Sequence, residues 1–592
     1  MHTVETVLLV LMLGALTGIA SRYFRAIPLP LIQILLGAIL STPQKGLHIA
    51  FDPELFLLLF IPPLLFADGW RIPKREFFAL YRPILKLALG LVLFTVLGLG
   101  YLIHWMIPEM PLMVAFALAA VVSPTDAVAV SAITRNLGMP EKTMHILEGE
   151  SLLNDASGLV ALKFAVAATV TGLFSWGEVA KEFTWMAMGG LGVGALLGWG
   201  FGTARDAVTR RVGDVAATQM VLLLILLPFA AYILGEKIGV SGILAAVAAG
   251  VATNLADLDR GNFIRERIQT EGAWSMVESA FNGAIFLLLG LQLPSIIGTT
   301  LREAGHDWWI LVGYVFAISF ALLFMRWIWL TLGVRGSLAK AHHQGKMAER
   351  PSALLNLATT MAGIRGAVTL AGALSIPVFI AKGVHFPQRD LLIFLATGTI
   401  LVTLLLASLT LPWLLRRLPP PEESPTLREE RLARIAACEA AITTIAHGEQ
   451  TMAGESPFAV AQYQEAAGRL VQEYRNRINL LDDGSGMATT PEALREQPEM
   501  VLQRKMRYIM ELRLRLECIR RERETLYAER HAHRINDDSL RALVGELDLS
   551  EVSLHKRLEA AEKAVHAKRR AADSDSDTGP GPGTPPPSDG AA

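Results

Sequence analysis

Between Val4 and Leu415 the chain passes through about thirteen apolar runs long enough, or nearly so, to cross a bilayer. They cover residues 4–20, 28–42, 54–69, 83–107, 111–134, 143–173, 183–203, 216–235, 239–256, 273–293, 308–333, 353–381 and 389–415. A straight helical span needs roughly 20 residues, so the shorter runs imply tilt or re-entry. In lipid every backbone polar group must be satisfied internally, and repeated apolar runs of this length therefore predict helices. The fold class is an all-α polytopic membrane protein followed by a polar tail. A hydrophobic content of 52% is high for a soluble chain and ordinary for this class. The formal net charge of −1 implies no gross electrostatic partner and no nucleic acid. Cys438 and Cys518 both lie in the tail and build neither a disulfide framework nor a zinc site. The first run has no basic leader or clear cleavage site, and is read as a span rather than a signal peptide.

The connections alternate in charge. One set carries groups such as Arg22 with Arg25, Arg71 with Lys74, Arg75 and Arg82, Arg205 with Arg210 and Arg211, and Lys346 with Arg350. The other set carries mostly single residues such as Lys45, Lys181, Lys237 and Lys382. The positive-inside rule puts the richer set in the cytoplasm, the N-terminus outside and the C-terminus inside. An odd number of spans fits. The plasma membrane, the inner membrane of a bacterium, is the expected location.

After Leu415, Arg416-Arg417 and Pro419-Pro420-Pro421 close the membrane part. The expected divisions are 1–415 for the membrane domain, 416–572 for a cytosolic helical domain and 573–592 for a disordered tail. The middle division is rich in Arg, Glu, Ala and Leu. Its longest helical pattern, 499–534, places Met506, Ile509, Met510, Leu512, Leu516 and Ile519 partly at helix spacing. From Asp573 onward Asp, Ser, Gly and Pro dominate.

The polar residues inside the apolar runs carry the chemistry. The sixth run holds Glu148, Glu150 and Asp155, and an ionisable residue at bilayer depth is a functional candidate. At about 100° per residue, Glu148, Ser151 and Asp155 share one helix face, while Glu150 and Asn154 share another. The bland alternative makes these acids the cap of a helix end at the membrane surface. The fifth run is interrupted by Ser123-Pro124-Thr125-Asp126, where proline removes a backbone donor. Unwound backbone at that depth is tolerated where it lines a cavity, and freed carbonyls can hold a cation. An ordinary proline kink with Asp126 in a packing salt bridge is the alternative. The twelfth run is interrupted by Gly363-Ile364-Arg365-Gly366. Both interruptions fall in the second-last span of a six-span block, 1–6 and 8–13, which is the placement of two inverted repeats. Further polar residues in the runs are Asp68 after Pro62-Pro63, Glu278, Asn282, Arg326 and Lys163. Lys163 either snorkels to the interface or forms a buried pair.

A carboxylate in a membrane cavity can hold a proton or a small cation. Competition for Asp155 in a cavity that opens to one side at a time yields exchange, with no covalent step and no cofactor. Hard oxygen ligands suit an alkali cation, and Asp155, Ser151, Asp126 and the backbone at Thr125 offer them. With Asn154 beside Asp155 that pair has one titrating group, so one proton for one monovalent cation is electroneutral.

These motifs resemble the sodium/proton exchangers of the cation:proton antiporter superfamily, of the archaeal NhaP and animal NHE kind. The likeness rests on Ser123-Pro124-Thr125-Asp126, Glu150-Ser151-Leu152-Leu153-Asn154-Asp155, Pro62-Pro63 with Asp68, and Gly363-Ile364-Arg365-Gly366-Ala367, and covers roughly residues 5–415. It implies a thirteen-helix fold with unwound, crossed fifth and twelfth helices, a homodimer and an elevator-like movement. It implies that Asp155 binds Na+ and H+ in turn, with Ser151, Thr125 and Asp126 as further ligands. Asn154 would hold the site through Asp68, Glu150 would pair with Arg326 away from the ion, and Arg365 would balance charge at the crossing. Three other classes compete: a K+/H+ antiporter, a channel or ion sensor on the same fold, and an intramembrane aspartate hydrolase. A channel would show a repeated pore loop or rings of like residues. A hydrolase would have no use for the amide beside Asp155 or for a broken helix bearing arginine, so the chain is not expected to be an enzyme.

Overall fold

The computed structural model describes residues 2–20, 28–41, 53–134, 137, 139–172, 176–212, 217–257, 264–303, 308–343, 352–381, 384–418, 425–451, 457–481, 498–532 and 537–576. Several connection residues used for the charge alternation (Arg22, Arg25, Lys45, Lys346, Arg350 and Lys382) lie outside them, as do 577–592 of the tail. The chain divides into two compact units, Met1–Glu422 and Glu423–Ala592.

The first unit is helical almost throughout. It opens with α1 (His2–Ala20), α2 (Leu29–Leu40), α3 (Pro53–Arg71), α4 (Lys74–Ala79) and α5 (Tyr81–Leu85). A π-helical turn, Lys86–Leu91, leads into α6 (Val92–Met106). Then come α7 (Leu112–Val122), α8 (Ala127–Thr134), α9 (Glu141–Thr171), α10 (Trp176–Val212), α11 (Ala217–Ile238) and α12 (Gly242–Asp257). The unit closes with α13 (Ile264–Glu303), α14 (Trp308–His343), α15 (Ala353–Met361), α16 (Ala367–Leu374), a small hairpin of β1 (Phe379–Ala381) and β2 (Val384–His385), and α17 (Arg389–Leu415). Phe379 is paired with His385 and Ala381 with Val384. Among the described residues seven helical stretches are long and apolar enough to span a membrane, and three shorter apolar ones accompany them.

Two expectations from the apolar pattern fail locally. The twelfth run reads as apolar through residue 381, yet α16 stops at Leu374 and the chain turns into β1. Pro377 follows closely, and its missing N–H and its clash with the preceding turn end the helix. Helices α10, α13 and α14 also extend well past their apolar runs into polar ends, because hydropathy marks only the part suited to hydrocarbon.

Small residues bring helices close. Gly190, Gly194 and Gly198 of α10 lie against the backbone of Ser241, just before α12, and of Ala245 and Ala249 within it, with no room for a Cβ. This four-residue spacing suits association in lipid, where close van der Waals packing replaces the hydrophobic drive available in water.

The second unit holds α18 (Pro425–Thr451), α19 (Pro457–Leu481), α20 (Pro498–His531) and α21 (Asp537–Ser576). The Tyr463 hydroxyl donates to the Ile445 carbonyl at 2.8 Å and joins α18 to α19. Arg513 pairs with Glu562 at 2.7 Å, and Arg523 with Asp548 at 2.7 Å and with Glu551, so α20 and α21 run antiparallel. Of the apolar positions on α20, Ile509, Leu512 and Ile519 are buried, whereas Met506 and Met510 are exposed. Helix α21 reaches Ser576, four residues into the segment from which composition predicts disorder.

Candidate ion-binding site

The site grows from two broken helices and one unbroken one. α7 ends at Val122 because Pro124 cannot continue it, and α8 restarts at Ala127. Asp126 caps the restart: its Oδ1 accepts from the Ala129 amide at 3.0 Å. α15 ends at Met361 and α16 restarts at Ala367. The two gaps meet. The Asp126 amide donates to the Ile364 carbonyl at 2.8 Å, and Arg365 Nε donates to the Val122 carbonyl at 2.8 Å. Arg365 also bonds its own neighbour's carbonyl, at Gly363. The buried guanidinium thus sits at the carbonyl end of α7, where the helix dipole favours a cation. Gly366 makes the approach possible, since a Cβ there would lie 2.0 Å from an Asp126 carboxylate oxygen.

The unbroken α9 clamps the first gap. Ser151 Oγ donates to the Thr125 carbonyl at 2.9 Å and accepts from the Ala127 amide at 3.3 Å. Asn154 Nδ2 donates to Thr125 Oγ1 at 2.8 Å. Both oxygens of Thr125 are therefore held by α9, which fixes where the unwound backbone points.

These groups face a cavity of about 50 Å³, room for one or two water-sized species at roughly 30 Å³ each. Its lining draws Leu64, Leu65 and Asp68 from α3, Glu278 and Asn282 from α13, Ser151 and Asp155 from α9, and Thr125, Asp126, Gly366, Val368 and Thr369 from the two breaks and the helices that restart after them. Asp155 is 7% exposed. Among the described residues the neighbouring intramembrane cations are engaged elsewhere: Arg326 with Glu150, Arg365 with carbonyls, Arg71 with Glu278, and Lys163 with Glu236. No ion pair joins Asp155 to any of them.

Asp68, Thr125, Asp126, Ser151 and Asp155 thus surround one cavity. Asn154 stands behind it, 1% exposed, and it turns to Thr125 rather than to Asp68; its Oδ1 has no partner. Ser151 spends its proton and one lone pair on backbone, leaving a single lone pair for a ligand. Glu150 and Arg326, each 1% exposed, form a two-pronged pair with Nη2 to Oε2 at 2.8 Å. Arg326 Nε reaches the Thr359 carbonyl at 3.2 Å, so this pair ties α9 to α14 and α15. Lys163 meets Glu236 at 2.8 Å in a half-exposed pair, which is neither free snorkelling nor a buried bridge. Glu278, Asn282 and Thr369 also line the cavity. The first two carry a sequence signal for it, an acid and an amide four residues apart in an apolar run.

Comparison with known proteins identifies the family. Residues 8–417 match the family model described as sodium/hydrogen exchanger, transmembrane. The chain is 42% identical over 561 residues, 93% of its length and 98% of the relative's, to the uncharacterized Na(+)/H(+) exchanger YjcE of Escherichia coli K12. It is 47% identical over 412 residues to the sodium, potassium, lithium and rubidium/H(+) antiporter of Bacillus pumilus, covering 69% of this chain and 60% of that one. In fold it is similar to the sodium proton antiporter MjNhaP1 of Methanocaldococcus jannaschii, with a TM-score of 0.54 at 19% identity, over 71% of this chain and 99% of that one. A helical chain with an unpaired buried carboxylate at two interlocked helix breaks, matched by that model over most of its length, belongs to the sodium/hydrogen exchanger family of monovalent cation:proton antiporters.

Proposed function

We propose that this chain exchanges Na+ for H+ one for one across a bacterial inner membrane, with Asp155 as the shared carboxylate. One observation carries the reading. Asp155 faces a cavity of ionic size while the neighbouring arginines and Lys163 are bound to other groups. A carboxylate so placed gains from either a proton or a metal cation, and the two compete. Thr125, Asp126 and Ser151 supply further oxygens, and Asp68 lines the same cavity. Because the neighbour of Asp155 is an amide, the pair carries one proton per turnover, which makes the exchange electroneutral.

The cavity is lined by residues of α3 and α13 together with residues of α8, α9 and α16. Sliding of α8, α9 and α16 past α3 and α13 would expose Asp155 to each side in turn, an elevator movement. The same reading takes the first unit as thirteen spans in two inverted repeats, the N-terminus outside, the second unit in the cytoplasm, and two copies as the working dimer. The matched placement of the two helix breaks supports the repeats.

A wider cation range is the second reading, favoured by the printed names of the relatives from Bacillus pumilus and Bacillus subtilis, which include potassium, lithium and rubidium. Purified protein in proteoliposomes, with an imposed pH gradient and Na+, Li+ or K+ added in turn, separates the two. Saturable dissipation by Na+, insensitive to a potassium diffusion potential, is the expected result. Dissipation that follows membrane potential would remove electroneutral exchange, and none with any cation would remove the antiport reading.

A further inference from the structure

Buried and half-buried threonines in the helices of this chain usually satisfy their own hydroxyl. Thr134, Thr169, Thr253, Thr359, Thr360, Thr399 and Thr410 each donate to the carbonyl four residues back, at 2.7–2.9 Å. Thr369 does not. It is the third residue of α16, so the carbonyl four residues back belongs to Arg365, in the unwound gap before the helix. The hydroxyl has no partner, yet the residue is 2% exposed. An unpaired buried hydroxyl costs free energy and calls for a reason.

Its position supplies one. Thr369 lines the same cavity as Asp155, Asp126 and Asp68. Helix α16 packs against α3, α9 and α13, each of which contributes residues to the cavity lining. Gly372, one turn on from Thr369, lies against Leu159 and Leu162 of α9, which turns this face toward the helix bearing Asp155. Thr397 and Ser123 also have unpartnered buried hydroxyls, but neither lines the cavity.

We propose that Thr369 Oγ1 is a ligand of the transported cation, contributed by the second broken helix. A hydroxyl oxygen is a hard neutral donor suited to an alkali cation. It offers two lone pairs to the ion while its proton remains free to be donated to a carboxylate of the cavity. Unlike Ser151 and Thr125, whose oxygens are engaged by α9 or by the gap itself, it has its full capacity available. The cation is then held by groups from both broken helices as well as α9. Thr369 thereby becomes a residue that sets affinity, whereas Asp155 sets whether exchange occurs at all.

The inference rests on the exchange reading above, and the test separates the two. Full-length Thr369→Val, Thr369→Ser, Thr369→Ala and Asp155→Asn are compared in proteoliposomes for KM and kcat with Na+. Stabilisation of each purified protein against heating by added Na+ provides a readout independent of turnover. Valine keeps the shape and removes the oxygen; serine keeps the oxygen and removes the methyl; alanine fits whatever the packing. The expected result is a KM raised about tenfold in the valine and alanine variants, the range of a lost bond to a charged partner. Their kcat stays within about twofold, their Na+ stabilisation weakens in parallel, and serine behaves like threonine. Wild-type KM in the valine variant overturns the assignment. So does a serine variant as impaired as valine, or a fall in kcat at unchanged KM. Persisting exchange in Asp155→Asn, by contrast, sinks the reading on which the inference stands.

Discussion

Arg326 and Glu150 meet in a buried, two-pronged ion pair that joins α14 to α9, with Nη2 to Oε2 at 2.8 Å. Asp155 lies on the same helix five residues on, facing the cavity instead. These two acids of α9 thus divide the work by direction: one is neutralised by Arg326, and the other is left to its ligands. Removing one partner of such a pair strands a charge away from water and costs about 3–5 kcal/mol. Glu150→Gln is expected to lower the unfolding temperature of the detergent-solubilised protein sharply. Exchanging the two, Glu150→Arg with Arg326→Glu, recovers part of that loss. Equal instability in the double and single variants would break the link between this pair and stability.

Asp155→Asn removes the one acid that α9 contributes to the lining of the cavity. Sodium-driven proton flux should fall to background in proteoliposomes, while size-exclusion behaviour and unfolding temperature remain near wild type. Residual saturable flux above a tenth of wild type contradicts its role.

Gly366→Ala and Gly372→Ala form a matched pair on one helix. At Gly366 the new Cβ would fall 2.0 Å from the Asp126 carboxylate, which must move and take the cap of α8 with it. At Gly372 the nearest atom is the flexible end of Leu159, 3.2 Å away. Exchange rate is therefore expected to drop at least about tenfold in the first variant, a typical consequence of a misplaced site, and to stay within about twofold in the second. Similar rates in both would mean that the close approach of the two breaks does not matter to transport.

Arg71 neutralises Glu278 at the rim of the cavity, and its side chain is 41% exposed. Arg71→Gln leaves an uncompensated acid facing the cation. A several-fold lower KM for Na+ at low ionic strength is expected, fading as added salt screens the charge. The double variant Arg71→Gln with Glu278→Gln should return KM toward wild type. If KM measured in choline-balanced buffers does not move, Glu278 exerts no pull on the cation.

Much of this site could be read in the sequence because charge inside an apolar run is costly and proline inside a helix is disruptive. Those two signals single out Asp155, Asp126, Thr125 and Ser151 without any coordinates. Pairing is harder. An amide such as Asn154 can bond many partners at one helix spacing, and its choice of Thr125 over Asp68 depends on how deeply the α7–α8 gap drops toward α9. Thr369 is harder still, since a threonine in an apolar helix normally bonds its own backbone. Only the detailed ending of the α15–α16 gap leaves its hydroxyl free. The early stop of α16 is hidden for another reason, because the apolar run continues through β1 although the helix does not.

One of the bonds between the two breaks, from Arg365 to Val122, joins residues 243 apart in the sequence. An amide at Asp126 and a carbonyl at Val122 wait for groups that the ribosome delivers only after eight further helices, α8 to α15, have been made. Until α15 and α16 arrive, the earlier segment has no way to complete its hydrogen bonding away from water. The ion site is thus completed only once α15 and α16 have been made, and a chain stalled before Ala353 carries every acid of the cavity yet lacks Gly366, Val368 and Thr369 from its lining.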